Sequence, residues 1–96
     1  MTHDDEELYD RVVEAWGAPT VYRMVAEECS ELAAECLRHL RGRSTDDDLA
    51  GEIADVMIML EQVSRMVDAD QIDAARTAKL ARLRHRVMDH EMTRLR

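Results

Sequence analysis

Pairs of acidic residues three positions apart occur in two apolar segments of the chain. Glu28 and Glu31 form one pair, and Glu52 and Asp55 form the other. Side chains three apart are neighbours on an α-helix, with Cβ atoms about 5–6 Å apart. On a helical projection each pair lies at the edge of its segment's apolar face, and Glu28 falls inside the stripe that Val21 begins. We therefore expect four carboxylates to converge where two helices pack.

A divalent cation is the ligand that such a cluster favours. An unpaired buried carboxylate is costly, so it neutralises or finds a positive partner. No lysine or arginine lies at helical spacing (three or four residues) from these acids. Oxygen ligands favour Mg²⁺, with Mn²⁺ as a substitute, and a ferritin-like di-iron site would need Glu-x-x-His pairs. The alternative is four ordinary solvated acids, because a lone Glu-x-x-Glu is common on exposed helices.

The stretches that contain these acids resemble a known signature. Glu27-Glu28-Cys29-Ser30-Glu31-Leu32 and Glu52-Ile53-Ala54-Asp55-Val56 resemble the EExxE…ExxD pattern of MazG-like nucleoside triphosphate pyrophosphohydrolases. The similarity extends to Trp16-Gly17, the Arg41-Gly42 loop and Lys79-x-x-Arg82-Leu83, and so covers most of the chain. It implies an all-α fold, a dimer or dimer of dimers, and Mg²⁺-dependent hydrolysis of a (deoxy)nucleoside triphosphate to monophosphate and pyrophosphate.

The resemblance also implies a role for each matching residue. The metal ligands would be Glu28, Glu31, Glu52 and Asp55. Glu27 would orient or deprotonate the attacking water, and Lys79 and Arg82 would neutralise the phosphates. Ahead of the signature the chain departs from the family pattern, because similar sequences often carry glutamine where Val21 or Tyr22 stands.

Trp16 is a further candidate for substrate binding. Its indole offers a flat surface on which a base can stack. The alternative is packing at the end of a helix, where a single tryptophan commonly serves as a large apolar contact.

Apolar positions follow a helical period nearly throughout and predict four helices, at about 4–16, 19–40, 46–67 and 71–95. Gly17 and Pro19 separate the first two helices, and Gly42 ends the second. Ser44 or Thr45, each followed by an acid three residues on, predicts the cap of the third. Short connections without strands predict an antiparallel bundle of about four helices, in a single domain over residues 1–96.

The apolar positions exceed what one small bundle covers. The third helix is apolar on several sides because of Met57, Ile58, Met59 and Met66. A helix that is apolar on more than one face is buried on more than one face. We therefore expect a homo-oligomer, most simply a dimer; the alternative is a monomer with exposed methionines. The inward positions predicted for the two central helices are Val21, Val25, Cys29, Leu32, Cys36, Leu40, Leu49, Ile53, Val56, Leu60, Val63 and Val67.

Composition and charge narrow the classes of function. The 96 residues are 46% hydrophobic and 35% charged, which indicates one soluble domain rather than a disordered chain. The net charge of −8 disfavours general nucleic-acid binding. With no apolar run of ~18 residues and an acidic N-terminus, we expect a cytoplasmic protein without a membrane partner.

The charge is nevertheless unevenly distributed. Residues 76–96 contain seven basic and two acidic side chains, a net charge of +5, whereas the first 75 residues carry −13. This asymmetry suggests either cations that meet a phosphate-bearing ligand or a basic helix that covers an acidic one.

Three other functions fit parts of the sequence. One is a phosphoribosyl-ATP pyrophosphohydrolase-like enzyme of the same all-α class. Another is a non-catalytic helical module that binds a protein partner, against which the presence of all five acids argues. The last is a DNA-binding regulator that uses the basic last helix, which the overall acidity disfavours. We expect an enzyme of nucleotide-pool house-cleaning.

Overall fold

The computed structural model describes residues 1–95, and this part of the chain is helical without any strand. Its elements are α1 (His3–Trp16), α2 (Ala18–Leu40), α3 (Asp46–Ser64) and α4 (Ala69–Arg94). The predicted all-α class and four helices are confirmed, and most helix ends lie within two residues of prediction. Arg96, counted in the predicted basic segment, lies outside the described residues. No described helix combines the length and apolarity needed to cross a membrane.

Capping boxes fix the starts of α1 and α3. The hydroxyls of Thr2 and Thr45 accept hydrogen bonds from backbone N–H groups three residues on, and the side chains of Asp5 and Asp48 accept from the backbone N–H groups of the threonines. This arrangement satisfies backbone donors that have no partner within the helix. Thr45, rather than the alternative Ser44, is therefore the cap of α3.

The turn between α3 and α4 lies earlier than predicted. The Asp68 carboxylate accepts a 2.9 Å hydrogen bond from the backbone N–H of Asp70, so Asp68 is the N-cap and the helix begins two residues before the predicted position 71. Helix α3 ends at Ser64, three residues before the predicted Val67, and α4 begins at Ala69.

Helices α2 and α3 form an antiparallel hairpin. The connection between them spans residues 41–45 and contains Gly42 at φ +72°, a left-handed conformation that favours glycine. Asp55 lies near enough to Glu28 for its charge to act on that carboxyl, and Asp48 acts likewise on Glu35. Positions on α3 thus decrease as positions on α2 increase, as an antiparallel pair requires.

Tyr9 attaches α1 to the far end of α3. Its hydroxyl donates a 2.6 Å hydrogen bond to Glu61 Oε2, and its backbone carbonyl accepts one of 3.1 Å from Gln62 Nε2. The exposed fractions of Tyr9 and Gln62 are only 5% and 1%. Arg65 adds ion pairs with Glu6 and Asp10. Buried polar groups with hydrogen-bond partners hold this end of the fold together.

The interior differs from the predicted apolar stripes. Buried apolar side chains are Tyr9, Val21, Val56 and Met59, and the buried polar ones are Glu35 and Gln62. Six predicted inward positions are instead exposed, namely Cys29, Cys36, Leu40, Ile53, Leu60 and Val67. Their prediction as core of this chain was wrong, because the hairpin packs on the flank that carries the acids. Both cysteines are free thiols.

The described chain divides into two compact units. The first, Met1–Met66, contains α1, α2 and α3, and the second begins at Val67 and contains α4. Taken by itself, α4 is exposed at every described position except Leu80, which is half-buried. A single domain over residues 1–96 stays a prediction.

Candidate functional site

Three carboxylates from α2 and α3 come together in the hairpin. Glu28 and Glu31 lie on successive turns of α2, and Glu52 lies opposite them on α3. One carboxylate oxygen of each residue lies within 4.8 Å of those of the other two. The predicted convergence of acids from the two helices is therefore present for these three residues.

Two of the three carboxylates are partly withdrawn from water. Glu28 and Glu52 are half-buried, whereas Glu31 is exposed. Within residues 1–95, Glu28 Oε2 and Glu52 Oε2 are buried atoms without a hydrogen-bond partner. Burial raises the pKa of both groups, and the charges of Glu31 and Asp55 raise them further. Such oxygens are short of a positive or hydrogen-bonding partner.

Asp55 occupies the margin of this cluster. It lies one turn after Glu52 on α3, is exposed, and does not belong to the group whose oxygens are all within 4.8 Å. Its charge nevertheless contributes to the raised pKa of Glu28 and Glu52, after the larger effect of burial. Its predicted role as a fourth ligand stays a prediction.

A divalent cation fits this donor set. Hard cations such as Mg²⁺ bind carboxylate oxygens, usually through a few protein ligands together with water and substrate oxygens. The orphaned oxygens of Glu28 and Glu52 offer lone pairs that no described residue satisfies. Neither thiolate nor imidazole belongs to the cluster, which disfavours softer metals.

The structure also holds an ion pair that sequence reasoning missed. Glu35 follows Glu31 by one turn, is only 6% exposed, and pairs with Arg38. The Ser44 hydroxyl and then the Arg38 guanidinium hold the pKa of Glu35 below its usual range. The signal was an i, i+3 acid–base pair two turns beyond Glu28, easily taken for an ordinary surface pair. A cation therefore does stand beside the acids, although not at one-turn spacing.

Of the remaining predicted residues, Glu27 adjoins the cluster along α2 and is exposed. Trp16 ends α1, is 62% exposed, and lines a shallow depression with other residues of that helix. Lys79 and Arg82 lie one turn apart on α4, both exposed, and Lys79 borders the apolar face of that helix. Catalysis by Glu27 and substrate binding by the other three stay predictions.

Comparison with protein-family models, with curated proteins and with solved structures gave no match. The likeness to MazG-like enzymes therefore stays a prediction that rests on the paired acidic motifs. The meeting of Glu28, Glu31 and Glu52 in the hairpin is an observation that does not depend on this likeness.

Proposed function

We propose that this protein is a Mg²⁺-dependent nucleoside triphosphate pyrophosphohydrolase that converts a (deoxy)nucleoside triphosphate to monophosphate and pyrophosphate. The observation that carries the proposal is the meeting of Glu28, Glu31 and Glu52, with their mutual oxygen separations within 4.8 Å. Acids brought together from two helices, with orphaned oxygens, favour a cation-dependent reaction over a purely structural role.

The carboxylate cluster would hold the metal. Glu28, Glu31 and Glu52 would bind Mg²⁺, or Mn²⁺ in its place, and Asp55 would complete the set. Mg²⁺ held there would supply positive charge for the phosphate oxygens. Without such a cation the acids repel a triphosphate, so substrate binding and hydrolysis both require it.

Glu27 would position the attacking water and accept its proton. Phosphoanhydride hydrolysis asks the protein to position a nucleophile and stabilise charge, with little covalent chemistry. A water oxygen forms the new bond to phosphorus, the bond between the nucleotide and pyrophosphate portions breaks, and Glu27 accepts the proton that water loses. Its exposed position on α2 leaves it accessible to solvent for this role.

Side chains outside the cluster would bind the rest of the nucleotide. Lys79 and Arg82 are exposed cations on one face of α4 and would neutralise phosphate charge. Trp16 offers an exposed indole on which the base would stack. In this reading the protein is a cytoplasmic enzyme of nucleotide-pool house-cleaning, without nucleic-acid or membrane partners.

A homo-oligomer, most simply a dimer or a dimer of dimers, is part of the same proposal. Apolar side chains on the outer sides of α2 and α3 are exposed in the single chain, among them Leu37, Leu40, Ile53, Met57 and Leu60. Exposed apolar residues in such number indicate an interaction surface. Light scattering coupled to gel filtration measures the mass, and a mass of one chain at micromolar concentration would contradict oligomerisation.

The same exposed side chains support a second candidate, a non-catalytic helical module that binds another protein. It accounts for the apolar surface but leaves the orphaned oxygens of Glu28 and Glu52 without a role. Enzymatic activity separates the two candidates.

The decisive experiment incubates the protein with Mg²⁺ and a panel of triphosphates, with phosphoribosyl-ATP included, and identifies the products. We expect monophosphate and pyrophosphate from at least one compound. Glu28→Gln should lower the release by about 100-fold or more, whereas Glu14→Gln, on the exposed surface of α1, should leave it unchanged. Absence of turnover across the panel with both Mg²⁺ and Mn²⁺ would reject the proposal and favour the interaction module.

A further inference from the structure

The Glu35–Arg38 pair places a guanidinium beside the carboxylate cluster. Glu35 lies one turn beyond Glu31 on the face of α2 that packs on α3, and its side chain is almost fully buried. Arg38 Nε donates a 3.2 Å hydrogen bond to Glu35 Oε2, and Nη2 donates to the same oxygen. A buried acceptor thus fixes one edge of the guanidinium.

The rest of the guanidinium remains accessible. The Arg38 side chain is 49% exposed, in contrast to 8% for Glu35. Arginine carries five N–H donors, and within residues 1–95 its side-chain hydrogen bonds go to Glu35 alone. Donors therefore remain for a ligand that approaches from solvent.

The position of Arg38 relative to the cluster follows from its neighbours on α3. Glu52 and Asp48 lie near enough for their charges to act on Arg38, after the stronger effect of Glu35. Arg38 lies two turns beyond Glu31 on α2, toward the 41–45 connection, and so stands past the end of the cluster where Glu31 meets Glu52. A polyphosphate that binds the carboxylate cluster through a cation can lie along the hairpin in two orientations, and in one of them it would pass Arg38.

A purely structural pair explains the geometry less fully. A buried carboxylate needs a partner to offset its desolvation, but a lysine at position 38 would meet that need as a point charge. Arginine instead offers a planar fork that matches phosphate oxygens, and prior fixation by Glu35 reduces the side-chain entropy lost on binding.

We propose that Arg38, positioned by Glu35, binds a phosphate group of the nucleotide whose polyphosphate chain meets the Glu28–Glu31–Glu52 cluster. This inference rests on the proposed function. It makes Arg38 a substrate-binding residue and Glu35 a positioning residue, and it assigns to the hairpin a cation of its own.

The test measures binding and turnover separately. Inorganic tripolyphosphate with Mn²⁺ serves as the binding probe, titrated by calorimetry, and Mn²⁺ alone is followed by electron paramagnetic resonance. We expect Arg38→Gln to weaken tripolyphosphate binding about tenfold and to raise KM for the triphosphate more than it lowers kcat, since one charged hydrogen-bonding contact is lost. Affinity for Mn²⁺ alone should change less than twofold.

Two further variants keep the result interpretable. Arg38→Gln leaves Glu35 buried without its partner and can destabilise the fold. The double variant Glu35→Gln/Arg38→Gln removes both charges and should keep the helicity of the wild type while its tripolyphosphate binding stays weak. Arg23→Gln, an exposed arginine elsewhere on α2, is the matched control and should bind tripolyphosphate like the wild type.

The outcomes separate this inference from the proposed function. Unchanged tripolyphosphate binding in a folded double variant would overturn the role of Arg38 even if the enzyme hydrolyses triphosphates. Conversely, Arg38-dependent binding in a wild-type protein that releases no pyrophosphate would support the phosphate contact and reject the hydrolase.

Discussion

Two polar clusters lie along α3, one toward each end, and they differ in how their buried atoms are satisfied. Toward the C-terminus, Tyr9 donates to Glu61 and accepts from Gln62 through its carbonyl. Toward the N-terminus, Glu28 and Glu52 each have a buried oxygen without a partner among residues 1–95. Gln62 Oε1 is also unpartnered, but a neutral amide costs less to bury than a carboxylate. The first cluster binds the protein to itself, and the second is open to a ligand.

The difference shows that buried polar groups can contribute either to the stability of the fold or to a ligand site. A hydrogen-bonded polar group adds modestly to stability, whereas an unpaired carboxylate subtracts from it. A carboxylate site lowers the stability of the metal-free protein, and the binding of a cation restores that stability. The two ends of α3 should therefore respond oppositely to mutation and to metal.

The largest expected effect is the loss of turnover when a residue of the carboxylate cluster is replaced. Glu28→Gln keeps the shape of the side chain but removes a charged ligand, and we expect turnover of the triphosphate to fall by about 100-fold or more. Pyrophosphate release at saturating Mg²⁺ measures it. Retention of near-wild-type turnover in this variant would remove Glu28 from the ligand set, and Tyr9→Phe should leave turnover unchanged.

Metal should stabilise the protein through the same cluster. At a Mg²⁺ concentration about 100 times Kd, linkage predicts a gain of about 2.7 kcal/mol in the free energy of unfolding. Denaturant titrations with Mg²⁺ and with a chelator give the difference. The gain should vanish in Glu28→Gln/Glu52→Gln, and an equal gain in that variant would show that Mg²⁺ binds elsewhere.

Mutation of the cluster formed by Tyr9, Glu61 and Gln62 should reduce stability and leave turnover unchanged. Tyr9→Phe deletes the donor to Glu61 and leaves a half-buried carboxylate without that hydrogen bond, so we expect a loss of about 1–2 kcal/mol. The same hydrogen bond raises the pKa of Tyr9 to about 12. In the wild-type protein the Tyr9 phenol should therefore ionise only at strongly alkaline pH. A stability change near zero would indicate that water replaces the hydroxyl without cost.

The smallest effect concerns pH in the metal-free protein. The pKa values of Glu28 and Glu52 are raised by burial, so their contribution to stability is fully present below the ordinary glutamate pKa and is lost as pH rises through the raised values. Relative to Glu28→Gln/Glu52→Gln, the wild type should therefore lose stability between mildly acidic and neutral pH. Denaturant midpoints in chelator across this range test the sign, and parallel curves would refute it.

Sequence reasoning identified the acids because helical spacing decides which side chains share a face. Glu28 and Glu31 must be neighbours on any helix, and a short connection makes α2 and α3 antiparallel. The position of Asp55 at the margin was not predictable, since it depends on the rotation of α3 about its axis. Glu35 was missed because its burial arises from tertiary packing, whereas its sequence context is that of a surface pair with Arg38.

The predicted core failed for a related reason. Periodicity locates an apolar face but does not say whether that face packs within the chain or outside it. Leu40 and Ile53 fit the helical period well, yet they are 82% and 42% exposed. The hairpin closes where one edge of each predicted stripe, with Val21 and Val56, is buried beside Met59 and polar side chains.

The antiparallel register of α2 and α3 sets acid opposite acid along one seam, with Glu28 near Asp55, Glu31 near Glu52 and Glu35 near Asp48. Arg38 offsets this repulsion at one end of the seam only. Dissolved monovalent salt shortens the range of such repulsion to about 10 Å at 0.1 M. Because these acids lie closer together than that distance and two of them are half-buried, monovalent salt should raise the free energy of unfolding of the hairpin only slightly, even when no divalent ion is supplied.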